Sequence, residues 1–224
     1  MTTTALTEQW QSILQDKQNL LDSASEVITA SEYVLNQGDR QPQRLRELVE
    51  SGDLETVYAE DGYQQRLQTR LAQVSDEATL QQQLRFFRHR EMVRIIWRDL
   101  SGWADLAETV RELTALADCC VEQALNKLYQ WQTELLGTPM DELGQPQHLI
   151  VLGMGKMGAG ELNLSSDIDL IFTYPDDGET QGARKSLTNE EFFTRLGRKL
   201  IQALDNVTVD GFVFRVDMRL RPFG

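Results

Sequence analysis

Apolar residues recur at intervals of three and four through the first 136 positions of the chain, a spacing that predicts helices almost throughout. The longest stretches are the clearest. From about Thr79 to Leu100, Phe86, Val93, Trp97 and Leu100 fall on one helical face. From about Leu106 to Leu136, Leu113, Leu116, Ala117, Cys120, Ala124, Leu128 and Trp131 line one side. Only Pro42 interrupts before Pro139, and Asp39-Arg-Gln-Pro42 reads as a helix start, where proline is tolerated in the first turn. Ser51-Gly-Asp53 and Glu60-Asp-Gly62 read as breaks between short helices.

The pattern changes after Leu136. Gly137 to Pro146 is rich in turn residues, and the expected domain boundary lies there: a helical region over 1–140 and a second domain over 141–224. His148-Leu-Ile-Val-Leu-Gly153 predicts a buried strand. Asp167-Ile-Asp-Leu-Ile-Phe-Thr-Tyr174 predicts a second strand beyond a glycine-rich stretch. Thr188-Asn-Glu-Glu191 has the form of a capping box and opens a helix to about Leu204. Asp210-Gly211 turns the chain into a last strand over 212–220, with Phe212, Phe214, Val216 and Met218 on one face and Arg215, Asp217 and Arg219 on the other. The predicted class is α+β.

Composition narrows the function classes. Of 224 residues, 41% are hydrophobic and 25% charged, as in a globular domain, and no apolar run is long enough for a membrane span. The N-terminus lacks the features of a signal peptide, so the expected location is the cytoplasm. A net charge of −13 repels a duplex and argues for a small nucleotide or a protein as substrate, not nucleic acid. Two adjacent cysteines, Cys119 and Cys120, supply neither a disulfide framework nor a zinc site. The arginines at 85, 88, 90, 94 and 98 read as a solvated helix face paired with acids such as Glu91 and Asp99.

Candidate chemistry gathers in the second region. Asp167 and Asp169 share one face of a strand, while Ile168 and Leu170 point into the core. Two carboxylates about 4 Å apart repel by roughly 4 kcal/mol at an effective dielectric of 20. A bound Mg²⁺ relieves that repulsion, and Asp217 on a neighbouring strand supplies a third carboxylate for a two-metal site of the kind used in displacement at phosphorus. Gly153, Gly155 and Gly158 match a dinucleotide-binding spacing, yet they leave little room for a helix before the Asp-x-Asp strand. Lys156 is placed to reach a phosphate, and Ser165 and Ser166 to position substrate.

Gly155-Lys-Met-Gly-Ala-Gly160 followed by Ser165-Ser-Asp-Ile-Asp169 resembles the signature of the polymerase-β-type nucleotidyltransferases, with Lys156 where that superfamily usually has serine. The longer stretch Gly153 to Phe172, together with Val216-Asp-Met-Arg-Leu-Arg-Pro222, resembles the glutamine synthetase adenylyltransferase/adenylyl-removing family. Phe87-Arg-His-Arg-Glu-Met92 and Arg111 to Asp118 are similar to that family's helical segment, so the resemblance spans about residues 80–224. It implies a polymerase-β-like core of mixed sheet and helices, cut short on its C-terminal side, and a fragment from the N-terminal, adenylyl-removing part. It further implies Asp167, Asp169 and Asp217 as catalytic and Mg²⁺-binding residues, with Gly155, Lys156, Gly158, Gly160, Ser165, Ser166 and Arg219 holding nucleotide or phosphate. The implied partners are glutamine synthetase, ATP, ADP or AMP, phosphate and a nitrogen-signalling PII-type protein. The implied reaction is phosphorolytic removal of AMP, the alternatives being ATP-dependent attachment and a non-catalytic interaction module.

Overall fold

In the computed structural model, which describes residues 6–219, nine helices and five short strands are built around one hydrophobic core running from Trp10 to Phe214. Four short helices lead: α1 (Glu8–Leu14), α2 (Gln18–Ala30), α3 (Glu32–Arg40) and α4 (Pro42–Glu50). Pro42 stands in the first turn of α4, as its fixed φ favours. Gly52 takes a left-handed φ of 74° and sends the chain into a 3-10 turn, Asp53–Glu55, before α5 (Gly62–Leu71). Two long helices follow, α6 (Glu77–Leu100) and α7 (Leu106–Leu136), each capped by an aspartate, Asp76 and Asp105, that accepts a backbone N–H three residues on. The apolar faces expected for both are buried at Val93, Trp97, Leu113, Leu116, Ala117, Cys120, Ala124 and Leu128.

The arginine stripe of α6 is not solvated. Arg94 is 0% and Arg98 2% exposed, and Arg85 and Arg88 are buried beside them. Arg94 donates to Glu112 of α7 at 2.6 and 3.1 Å, to the Asp53 carbonyl at 2.9 Å and lies over the Tyr58 ring. Arg98 pairs with Glu108 at 2.7 Å, and Arg90 pairs with both Asp53 and Glu91. Asp99 pairs with none of them; it accepts from Thr109. The stripe is internal because Asp53 of the 3-10 turn and Glu108 and Glu112 of α7, with the buried Glu91 of α6 itself, supply the opposing charge.

The strands make two small sheets. β1 (Thr138–Met140) pairs antiparallel with β4 (Glu179–Gln181). In the other sheet β3 (Ile168–Thr173) is central, antiparallel to β2 (Ile150–Met154) and parallel to β5 (Val216–Asp217). Between β2 and β3 lies a single helical turn, α8 (Gly155–Gly158). An antiparallel pair joined by one turn is not the parallel βαβ unit that the dinucleotide spacing would require. α9 (Asn189–Asp205) crosses from β3 to β5 and opens on the complete capping box of Thr188 and Glu191.

Two strand expectations are corrected. β2 is not buried: Leu149 before it is covered, but Ile150, Leu152 and Met154 are 42%, 46% and 37% exposed, because one face of the sheet has no covering layer. The last strand is two residues long instead of running over 212–220. Val213 and Phe214 are consecutive buried residues whose N–H groups both donate to the Leu204 carbonyl, so the chain wraps the end of α9 there and cannot alternate. The expected positions Leu220 to Gly224 lie outside the described residues.

Candidate active site

Register brings the aspartates onto one surface. Asp169 of β3 is directly paired with Asp217 of β5 and with Met154 of β2, and paired residues present their side chains to the same face. Asp167, two residues earlier, shares it. Ile168 and Leu170, at 0% and 1% exposure, anchor β3 from the opposite face, as their alternation predicts. The carboxylate face is the uncovered one, and Ile150, Leu152, Met154 and Ile171 continue it as an apolar floor.

The glycine turn closes against this face. Gly155 has φ 55°, a region that a side chain rarely adopts, and a Cβ there would stand 2.5 Å from Asp169 Oδ2. A Cβ on Gly158 would collide with the Gly153 carbonyl. Glycines are thus required where the turn packs on the strand and on the carboxylate. Gly160, with φ 74°, ends the turn. Lys156 is exposed and makes no side-chain hydrogen bond or ion pair among the described residues. Ser166 is half-buried, and Ser165 is exposed, its carbonyl facing Arg215 Nη2 at 3.5 Å.

Arginines hold two of the three carboxylates. Arg215 Nε meets Asp167 Oδ1 at 2.7 Å, and Arg219 grips Asp217 through Nε at 3.0 and 3.1 Å and Nη2 at 2.6 Å. The Arg219 side-chain and backbone hydrogen bonds hold the Asp217 carboxyl down at about 2. In this arrangement no group of three His, Cys, Asp or Glu among the described residues is close enough to hold a metal ion. The charges of Asp167 and Asp217 are offset here by the guanidinium groups of Arg215 and Arg219. Both arginines are loosely held, with side chains 57% and 87% exposed, so their ion pairs are of the weak, exchangeable kind.

The sequence does not announce what steadies β5. Val216 N–H donates to Asp205 Oδ1 at 3.3 Å at the end of α9. Just upstream, Thr208 and Gly211 exchange backbone hydrogen bonds, and His89 of α6 reaches across to the Asp210 carbonyl at 2.7 Å. The other ring nitrogen of His89 meets the Tyr33 hydroxyl at 2.7 Å. A histidine amid arginines in a helix gave no local signal of this long-range bond.

The glutamate-ammonia ligase adenylyltransferase family matches residues 21–224. A Pseudomonas aeruginosa protein named bifunctional glutamine synthetase adenylyltransferase/adenylyl-removing enzyme is 56% identical over 205 residues, covering 91% of this chain and 21% of its own length. A protein of the same name from Nitrosococcus oceani is 55% identical over 196 residues, covering 87% of this chain and 20% of its own. The chain spans about a fifth of the length of the curated relatives it matches. No helix among the described residues is long and apolar enough to cross a membrane. On the match over most of its length, the chain belongs to the glutamate-ammonia ligase adenylyltransferase family.

Proposed function

We propose that this chain carries a nucleotidyltransferase site acting on glutamine synthetase, and that the site removes AMP from an adenylylated tyrosine by phosphorolysis. The observation that carries the reading is the pairing of Asp169 with Asp217 on the open face of the sheet, with Asp167 two residues away and a glycine turn against Asp169. The names of the relatives support the substrate and the adenylyl chemistry. The helical region over 1–140 serves as scaffold, and 141–224 carries the chemistry.

The donor set suits Mg²⁺, which favours carboxylate oxygen and keeps water and phosphate as its other ligands, and the missing Cβ at Gly155 leaves space at Asp169 Oδ2. Asp167, Asp169 and Asp217 would hold the ion, which when bound supplies charge stabilisation at the phosphorus under attack. Arg215 and Arg219, released from their aspartates, neutralise phosphate oxygens. Lys156 and the amides of Gly155 to Gly160, with Ser165 and Ser166, position phosphate and nucleotide. A phosphate oxygen forms a bond to the α-phosphorus, the bond from phosphorus to the tyrosine oxygen breaks, ADP departs, and the phenolate takes up a proton.

The test incubates the full chain with adenylylated glutamine synthetase, phosphate and Mg²⁺. ADP is the expected product, dependent on phosphate, and Asp169→Ala slows its release by several orders of magnitude. Consumption of ATP with release of pyrophosphate would instead establish attachment. Equal ADP release by wild type and Asp169→Ala would remove the catalytic assignment.

A further inference from the structure

Away from the aspartate face, a cleft opens between α5 and α6. This cleft of about 510 Å³ is lined by Gln65, Arg66, Thr69 and Arg70 from α5 and by Phe87 and Arg90 from α6. Its volume is in the range of small-molecule sites. Every charged residue lining it is an arginine, in a chain whose net charge is −13.

The three arginines differ in how they are compensated. Arg66 and Arg90 share Asp53, and Arg90 also pairs with Glu91. Arg70 has no carboxylate partner among the described residues; its hydrogen bond is to Gln83 Oε1 at 3.2 Å. A guanidinium carries five N–H donors, so most of those on Arg70 have no protein acceptor. Burial, and then the charge of Arg90, push the Arg70 pKa below the usual arginine value, against the opposing charges of Glu47 and Glu91. Arg44 of α4 stands near enough to feel and oppose that charge, and it too forms no ion pair among the described residues; its guanidinium lies 3.4 Å from the centre of the Phe86 ring. The positive potential around Arg70 is therefore only partly cancelled by the protein itself.

We propose that this cleft is a binding site for a small phosphate-bearing molecule, with the phosphoryl group against Arg70, Thr69 at its edge, and Arg90, whose terminal nitrogens are held by Asp53, Glu91, Tyr58 and Ser51, lending charge from the wall. The fork of a guanidinium matches phosphate oxygens in pairs. A phosphate monoester brings about −1.5 to −2 of charge at pH 7, which suits a partly compensated arginine cluster better than a single carboxylate does. The site stands apart from the proposed catalytic face and does not depend on that reading.

The phosphoryl group could come free or on a nucleotide, and the experiment separates these sources. The Nε–Hε resonances of Arg66, Arg70 and Arg90 are followed in the full chain by nitrogen-selective NMR while inorganic phosphate, AMP or adenosine is added. Because these resonances belong to the cleft, binding at the aspartate face does not register in them. AMP is expected to shift the Arg70 and Arg90 resonances saturably, and adenosine is not. Inorganic phosphate acting as well as AMP assigns the site to the free ion, and a much weaker response to phosphate assigns it to a nucleotide. Arg70→Gln, which can still bond to Gln83, should weaken binding about tenfold or more with an unchanged melting temperature, and Arg70→Lys should weaken it less. Absence of saturable shifts with phosphate and AMP alike overturns the proposal. So does equal binding by Arg70→Gln, or a response to an acidic peptide in place of both phosphates.

Discussion

Removing Glu112 tests the buried arginine layer directly. Its carboxylate receives two hydrogen bonds from Arg94, at 2.6 and 3.1 Å, and the Arg94 side chain is 0% exposed. Glu112→Ala leaves that guanidinium in the interior facing the carbonyls of Asp53 and Thr56, the Tyr63 hydroxyl and the Tyr58 ring, with Glu91 as the acid still near enough to feel its charge. Loss of one partner of a buried pair costs about 3–5 kcal/mol, since the remaining charge stays unsolvated and without its hydrogen-bonded carboxylate. At about 2–4 °C per kcal/mol for a domain of this size, the melting temperature should fall by roughly 6–20 °C. Replacing both members, Arg94→Met with Glu112→Leu, removes the charges together and should recover most of the loss. Urea denaturation followed by far-ultraviolet circular dichroism on the single and double variants reads the cycle. If Glu112→Ala costs less than about 1 kcal/mol, the pair behaves as a surface contact and the buried layer is wrongly described.

Further expectations follow from His89, Gly155 and Thr188. Burial, followed by the charge of Arg88 and, more weakly, of Arg44, lowers His89 to about 4 from 6.5, against the pull of Asp210. Since the folded value is depressed, the stability it contributes is complete above about pH 6.5 and is lost as the pH falls to about 4, by about 3 kcal/mol in all. Denaturation at a series of pH values should show that slope in wild type and a flatter one in His89→Phe; identical slopes exclude the assignment. Gly155→Ala should destabilise by about 1–3 kcal/mol, because it combines a left-handed φ with a Cβ on the Asp169 carboxylate; an unchanged melting temperature would show that the turn can move away. Thr188→Ala removes one arm of the α9 capping box and should cost about 1 kcal/mol in chemical denaturation, with a negligible change counting against the cap.

What could be read in the sequence was what depends on neighbours close along the chain. The limits of α6 and α7, the cap at Thr188 and the common face of Asp167 and Asp169 all follow from spacing and local hydrogen bonding. The burial of Arg94 and Arg98 did not, because Glu112, Glu108 and the carbonyls that satisfy them approach from other elements. Asp53 shows the difficulty well: it reads as part of a break, yet it is the shared partner of Arg66 and Arg90, whose hydrogen bonds, against the opposing effect of burial, hold its carboxyl far below the usual range. The exposure of β2 was hidden for a similar reason. An apolar run looks buried unless one knows which face of the sheet lacks a covering layer.

The brevity of β5 has a consequence for the order in which the molecule is made. Asp169 and Asp217 are register partners, yet 48 positions separate them. A two-residue strand cannot find its place by its own pairing. It is delivered there by α9, whose last turn fastens Val213, Phe214 and Val216. Packing of α9 against α7 must therefore precede completion of the carboxylate trio, and α1 to α7 emerge from the ribosome long before either. Hydrogen exchange in the native protein should find the Asp169–Asp217 pairing opening together with the docking of α9, as one cooperative unit, while the long helices stay closed. The aspartate surface then shares the stability of α9 docking, not that of the long helices.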